Sequence, residues 1–109
     1  MQAITVIGGS GFIGTRLVQR LRIKEQQSVQ IIDKAPSRSH PDLVTLGDVR
    51  SVEELSASIP MESVIVNLAA EHRDDVLPLR LYDDVNVGGA KNICAIAREK
   101  SVQTIIFTS

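Results

Sequence analysis

Four glycines fall within seven residues, Gly8-Gly9-Ser10-Gly11-Phe12-Ile13-Gly14, and an acidic residue, Asp33, follows about 20 positions later. The run contains G-x-G-x-x-G counted from Gly9 and G-x-x-G-x-x-G counted from Gly8. Glycines at such spacing permit a tight turn, let a pyrophosphate approach the backbone, and let a following helix pack closely on the preceding strand. The N-terminus of that helix offers unpaired N–H groups and the positive end of its dipole to phosphates. A carboxylate at Asp33 can accept hydrogen bonds from both hydroxyls of a ribose, and its charge opposes a 2′-phosphate. The chemistry this predicts is dinucleotide binding through Gly8, Gly9, Ser10, Gly11, Phe12, Ile13, Gly14 and Asp33, with NAD favoured. Lys34 follows Asp33 directly and softens the discrimination, so NADP is the lesser expectation.

Such a loop works only between a strand and a helix, and the flanking residues supply both. Short β-branched runs recur at Ala3–Ile7, Val29–Ile32, Leu43–Leu46, Ser63–Asn67 and Gln103–Phe107. Most are continuously apolar rather than alternating, as in strands covered on both faces. Helical patterns lie between them, from Phe12 to about Ile23, from Val52 to Ile59 and from Asp83 to Glu99. The last carries apolar residues at Val85, Val87, Ala90, Ile93, Cys94 and Ala97. Ser51 and Glu54 fit a capping box for the second helix, and Pro60 falls just past its end. The residues 36–41, Pro-Ser-Arg-Ser-His-Pro, read as a loop. Strands alternating with helices predict an α/β fold, a Rossmann-type doubly wound parallel sheet of about five strands with helices on both faces.

The totals bound the rest. A chain of 109 residues has room for one domain, and a net charge of −1 offers no field for nucleic acid or an anionic membrane. Cys94 is the sole cysteine and cannot form an internal disulfide, and no apolar run approaches the roughly 20 residues of a membrane span. The N-terminus enters a strand pattern without the signature of a secretory signal, so a cytoplasmic location is expected. His72, Asp74 and Asp75 do not make a metal site by their spacing, since His40 is the only other histidine.

Beyond the glycines, Gly47-Asp48-Val49, Asn67-Leu68-Ala69-Ala70 and Val85-Asn86-Val87-Gly88-Gly89-Ala90-Lys91-Asn92-Ile93 occur in order. With these segments the chain resembles the extended short-chain dehydrogenases/reductases, and within them the NAD-dependent epimerase/dehydratase group acting on nucleotide-sugars. The resemblance implies that Asp48 binds the adenine amino group, with the backbone of Val49 beside it. It implies that Leu68, Ala69 and Ala70 let the cofactor lie against the end of the fourth strand, and that Asn86 is a structural asparagine. It also implies a UDP- or dTDP-sugar as substrate and a homodimer formed through helices such as Asp83–Glu99.

Two departures from the family pattern matter. Ile7 stands where threonine is usual, which leaves the phosphate-binding backbone untouched. The family's Tyr-x-x-x-Lys pair, whose tyrosine is the acid/base, is absent: the only tyrosine is Tyr82, and Asn86 lies four residues on. The fifth strand resembles the one that delivers a catalytic serine or threonine, and Ser109 is the neighbour of that position. Residues 1–109 therefore read as the N-terminal NAD(P)-binding part of a longer enzyme, truncated after the fifth strand, lacking the substrate-binding portion, with no catalytic residue of its own and inactive alone. Two other readings stay open, an NAD(P)-dependent reductase of the same family and a non-enzymatic NAD(P)-binding sensor. The loop Glu71-His72-Arg73-Asp74-Asp75-Val76 lies where open α/β sheets take ligands, and reads as solvated charge before substrate contact.

Overall fold

The computed structural model describes residues 3–69 and 84–108. Ala70, the loop 71–76, Tyr82, Asp83 and Ser109 lie outside the described residues, with the readings attached to them. The described strands form one parallel sheet of five in the order β3-β2-β1-β4-β5. They are β1 (Ala3–Ile7), β2 (Ser28–Asp33), β3 (Val44–Leu46), β4 (Val64–Asn67) and β5 (Thr104–Phe107). Among the described residues the α-helices are α1 (Phe12–Ile23), α2 (Val52–Ser58) and α3 (Gly89–Glu99).

Because successive strand residues face opposite sides, the continuous apolar runs split into two cores. Val6, Ile31 and Val66 pack with Val18 of α1 on one face. Ile7, Ile32 and Ile65 pack with Leu55 of α2 and with Ile93, Ile96 and Ala97 of α3 on the other. The double winding expected from the sequence is thus present. Ile7, the departure from the threonine pattern, is only 1% exposed and belongs to the second core. One polar pair interrupts this face, where the Gln30 side-chain amide donates to Thr5 Oγ1 at 2.9 Å and to the Ser58 carbonyl at 2.6 Å. That pair satisfies the buried Thr5 hydroxyl and fastens the end of α2 to the sheet.

Most boundaries differ from the sequence expectation by a residue. Leu43 belongs to a 3₁₀ turn, Pro41–Leu43, in front of β3 rather than to the strand. A larger difference lies before α3, where residues Asp84–Gly88 form a π-helical turn. A wider turn shifts the facing of the residues that follow. Val85 is buried at 4%, whereas Val87, expected on the apolar face, is 52% exposed. Cys94, one of the apolar residues of that helical pattern, is half-buried on α3 and is not part of either cluster. Among the described residues no helix is long and apolar enough to cross a membrane.

Candidate functional site

In the order β3-β2-β1-β4-β5 the winding reverses between β1 and β4, and a crevice opens there beyond the strands' carboxyl ends. The turn after β1 fills that position. Gly8 has φ +83°, and a Cβ there would stand 2.8 Å from the Ala69 nitrogen and 2.9 Å from the Leu68 carbonyl carbon. Only glycine fits between the two strand ends. Gly14 fills a second close approach, since a Cβ on it would come within 2.5 Å of the Gly9 Cα.

The helices on the two faces begin differently, and the contrast points to what α1 is for. Helix α2 has a capped start: the Glu54 N–H donates to Ser51 Oγ at 3.3 Å, and Glu53 and Glu54 complement the dipole in the first turn. The capping box is only half closed, because the Glu54 carboxylate accepts from the Asp48 N–H at 2.8 Å instead of from Ser51. Helix α1 starts at Gly11 with no side-chain cap and no acid in its first turn, while Arg20 and Arg22 serve its far end. Its N-terminal N–H groups are left for an anion from outside.

A cleft of about 310 Å³ opens beside this helix start, lined by Gly8, Ser10, Gly11, Asp33, Lys34, Asp48, Val49, Leu68 and Ala69 among the residues named from the sequence. Ile7, Ile32, Ala35, Gly47 and Val85 also line it and were not anticipated. The apolar ones could have been found as the last residues of their strands, which must border any cleft at that edge. Gly9 and Gly14 are buried behind the cleft as packing residues. Phe12 and Ile13 point largely to solvent, at 74% and 69% exposure. Asn86 is half-buried in the π turn. Asn92 fastens α3, its side chain donating to the Val49 carbonyl at 2.9 Å. Beside it Gly89 packs so tightly that a Cβ would meet Val49 Cγ2 at 2.6 Å.

Asp33 ends β2 with its carboxylate turned toward the glycine turn. Its Oδ2 accepts the Ser10 N–H at 3.0 Å and its Oδ1 accepts the Ala35 N–H at 3.1 Å. Ser10 Oγ closes the latch by donating to the Ala35 carbonyl at 2.9 Å. Each carboxylate oxygen keeps capacity for a further donor, so the latch fixes the group without consuming it. Asp48 is gripped by Arg50: Oδ1 accepts the Arg50 backbone N–H at 2.9 Å and Nε at 3.1 Å, while Nη2 donates to Oδ2 at 2.6 Å. These Arg50 hydrogen bonds hold the Asp48 carboxyl below the usual carboxylate range, with a smaller contribution from the charge of Lys34. A folded pKa lowered in this way stabilises the fold above the unfolded value, and the gain fades as pH falls through the folded one. Arg50→Ala is therefore expected to lower stability at pH 7 by no more than about 1 kcal/mol. The gap between urea melts of the two chains should narrow as pH falls through and below the ordinary carboxylate range; a gap that stays constant into acid would contradict this.

The geometry is that of a dinucleotide crevice, and comparison with known proteins supplies its lineage. Residues 5–109 match the model of the 3-beta hydroxysteroid dehydrogenase/isomerase family. The chain belongs to that family. The resemblance to the extended short-chain dehydrogenases/reductases holds with it. Among the relatives of this family member is the N-acetyl-alpha-D-glucosaminyl-diphospho-ditrans,octacis-undecaprenol 4-epimerase of Escherichia coli O157:H7, 42% identical over 97% of the chain and 31% of the relative. A short-chain dehydrogenase/reductase superfamily protein from Agrobacterium tumefaciens with bound NAD superposes with a TM-score of 0.89 at 25% identity, over 99% of this chain and 32% of that one. The UDP-glucose 4-epimerase of Thermus thermophilus in complex with NAD gives 0.83 at 25% identity, over 99% and 37%. The chain spans about a third of the length of the relatives it matches.

Proposed function

We propose that these residues form the NAD-binding part of an NAD-dependent epimerase acting on a sugar joined to a diphosphate. The observation that carries the cofactor reading is the latched Asp33 carboxylate beside an uncapped α1 on one cleft. Ser10, Gly11 and the first turn of α1 face the pyrophosphate, Asp33 takes the adenosine ribose, and Asp48 with the backbone of Val49 takes the adenine. Gly8 and Ala69 bring the two central strand ends together on the nicotinamide side. Bound NAD supplies a hydride acceptor that can return the hydride to the sugar. The chain's own residues bind and orient; the acid/base tyrosine and lysine come from a part of the protein outside these 109 residues, as does the substrate pocket. A nucleotide-sugar is the substrate class, and the 42% identical relative, named for a lipid-linked diphosphate sugar, supports the diphosphate as the shared handle.

A second reading, a dehydrogenase that consumes NAD, is favoured by the matched family's description. The two part in one assay. The purified 109-residue chain should bind NAD by calorimetry and leave UDP-glucose and UDP-N-acetylglucosamine unconverted. The complete product of the gene, its length fixed by intact mass, should invert the sugar without net NADH. NADH accumulating with turnover would establish the dehydrogenase, and conversion by the 109-residue chain would refute its inactivity.

A further inference from the structure

Helix α1 rests on the sheet through its buried residues Gly14 and Val18, with Leu17 and Leu21 half-buried beside them. Its outer face follows in steps of three and four as Phe12, Arg16, Gln19, Arg20, Ile23 and Lys24, all exposed. A helix on a soluble domain ordinarily turns polar and charged groups outward. Here Phe12 at 74%, its neighbour Ile13 at 69% and Ile23 at 67% are the most exposed large apolar side chains among the described residues. The cations are equally one-sided. The net charge of −1 hides a segregation, since residues 1–24 contain Arg16, Arg20, Arg22 and Lys24 and no acid. Arg16, Gln19, Arg20, Ile23 and Lys24 line a groove of about 380 Å³. Arg20 and Lys24 form no ion pair among the described residues, and Arg16 lies over the Phe12 ring with Cζ 4.5 Å from the centroid.

The two kinds of group alternate along this face. Phe12 and Ile13 stand at one end and Ile23 at the other, about 16 Å along the helix axis, with Arg16 and Arg20 between them. A helical protein partner would ask for a continuous apolar stripe, which the arginines interrupt. A nucleic acid would pair the cations and leave the apolar side chains uncovered. An anionic leaflet satisfies both, because its phosphate headgroups meet the cations while the acyl boundary beneath takes Phe12, Ile13 and Ile23. We propose that the outer face of α1 is a membrane-contact surface that lays the chain on an anionic lipid bilayer, with the helix axis in the plane of the headgroups. None of Phe12, Ile13, Arg16, Arg20, Ile23 and Lys24 lines the cofactor cleft, so the inference stands apart from the NAD reading.

Flotation with vesicles of phosphatidylcholine alone, and of phosphatidylcholine and phosphatidylglycerol in equal parts, tests this. The 109-residue chain should float with the mixed vesicles, stay in solution with phosphatidylcholine alone, and be released by about 1 M salt. Arg20→Gln with Lys24→Gln should weaken partitioning about 25-fold, at roughly fivefold for each cation. Ile23→Ser should weaken it about tenfold. Lys91→Gln with Arg98→Gln removes the same charge from exposed positions of α3 and should change partitioning by less than about twofold. All the substituted positions are exposed, and a melting curve shared with the wild type separates loss of the surface from loss of the fold. A wild type that fails to float with the mixed vesicles, or floats equally with both, would overturn the proposal, as would equal losses in the α1 and α3 pairs. An Ile23→Ser chain that floats like the wild type while the α1 cation pair does not would make the face a site for polyanions such as nucleic acid, against the bilayer. If the complete product of the gene stays in solution where the 109-residue chain floats, another part of the protein holds this face and the inference fails.

Discussion

Alanine at Gly14 should abolish dinucleotide binding and lower the unfolding free energy by about 3 kcal/mol. The added Cβ would stand 2.5 Å from the Gly9 Cα and 2.8 Å from both the Gly8 oxygen and the Gly9 carbonyl carbon. All three are backbone atoms, so no rotamer can move to make room. Relief requires α1 to withdraw from the turn after β1, which pulls Val18 from its place against Val6 and Ile31 and displaces the N–H groups that face the cleft. Gly11 provides the control. A Cβ there meets nothing closer than the Gly8 oxygen at 3.8 Å. Gly11→Ala should therefore melt within a few degrees of the wild type, a shift corresponding to well under about 1 kcal/mol. Thermal melts and NAD titrations of both variants decide the matter; a Gly14→Ala chain with a wild-type melting curve would mean that the glycines serve turn conformation alone.

The same contrast explains what the sequence makes legible. Gly8 and Gly14 mark close backbone approaches, and those are local to one strand–turn–helix unit, so the turn and its partner Asp33 can be read without coordinates. The continuous apolar runs likewise encode a sheet covered on both sides, and Val6 and Ile7 fall on opposite cores as that reading requires. What the sequence hides are choices among equivalents. Asn92, which the sequence does not single out, ties α3 to the Val49 carbonyl. Val87 has the character of a core residue and is exposed by the π turn at Asp84–Gly88. Glu54 has the right spacing to close a capping box, yet its carboxylate meets the N–H of Asp48. In each case the deciding factor is a backbone irregularity or a contact distant in sequence, to which hydrophobic periodicity is blind.

Asp33→Ala should weaken NAD about 100-fold, a loss near 2.7 kcal/mol. Hydrogen bonds from two ribose hydroxyls to a charged acceptor contribute about 1.5–3 kcal/mol each, and water restores part of that when the carboxylate is gone. The substitution removes more than ligand contacts, because Asp33 also accepts the N–H groups of Ser10 and Ala35. Without it the turn after β1 and the loop after β2 are joined only by Ser10 Oγ and the Ala35 carbonyl among the contacts of this latch. A stability loss of about 1–2 kcal/mol should accompany the loss of affinity. Ser10→Ala separates the two effects. It removes the hydroxyl bond across the latch, keeps the backbone N–H on Asp33, and should cost less than about tenfold in NAD affinity. Were Asp33→Ala to bind NAD as the wild type does while melting lower, Asp33 would be a loop clasp and the ribose would be read elsewhere. If instead affinity falls and the melting curve also shifts, the carboxylate serves both purposes. The residue that recognises the ribose would then also build the turn that holds the pyrophosphate.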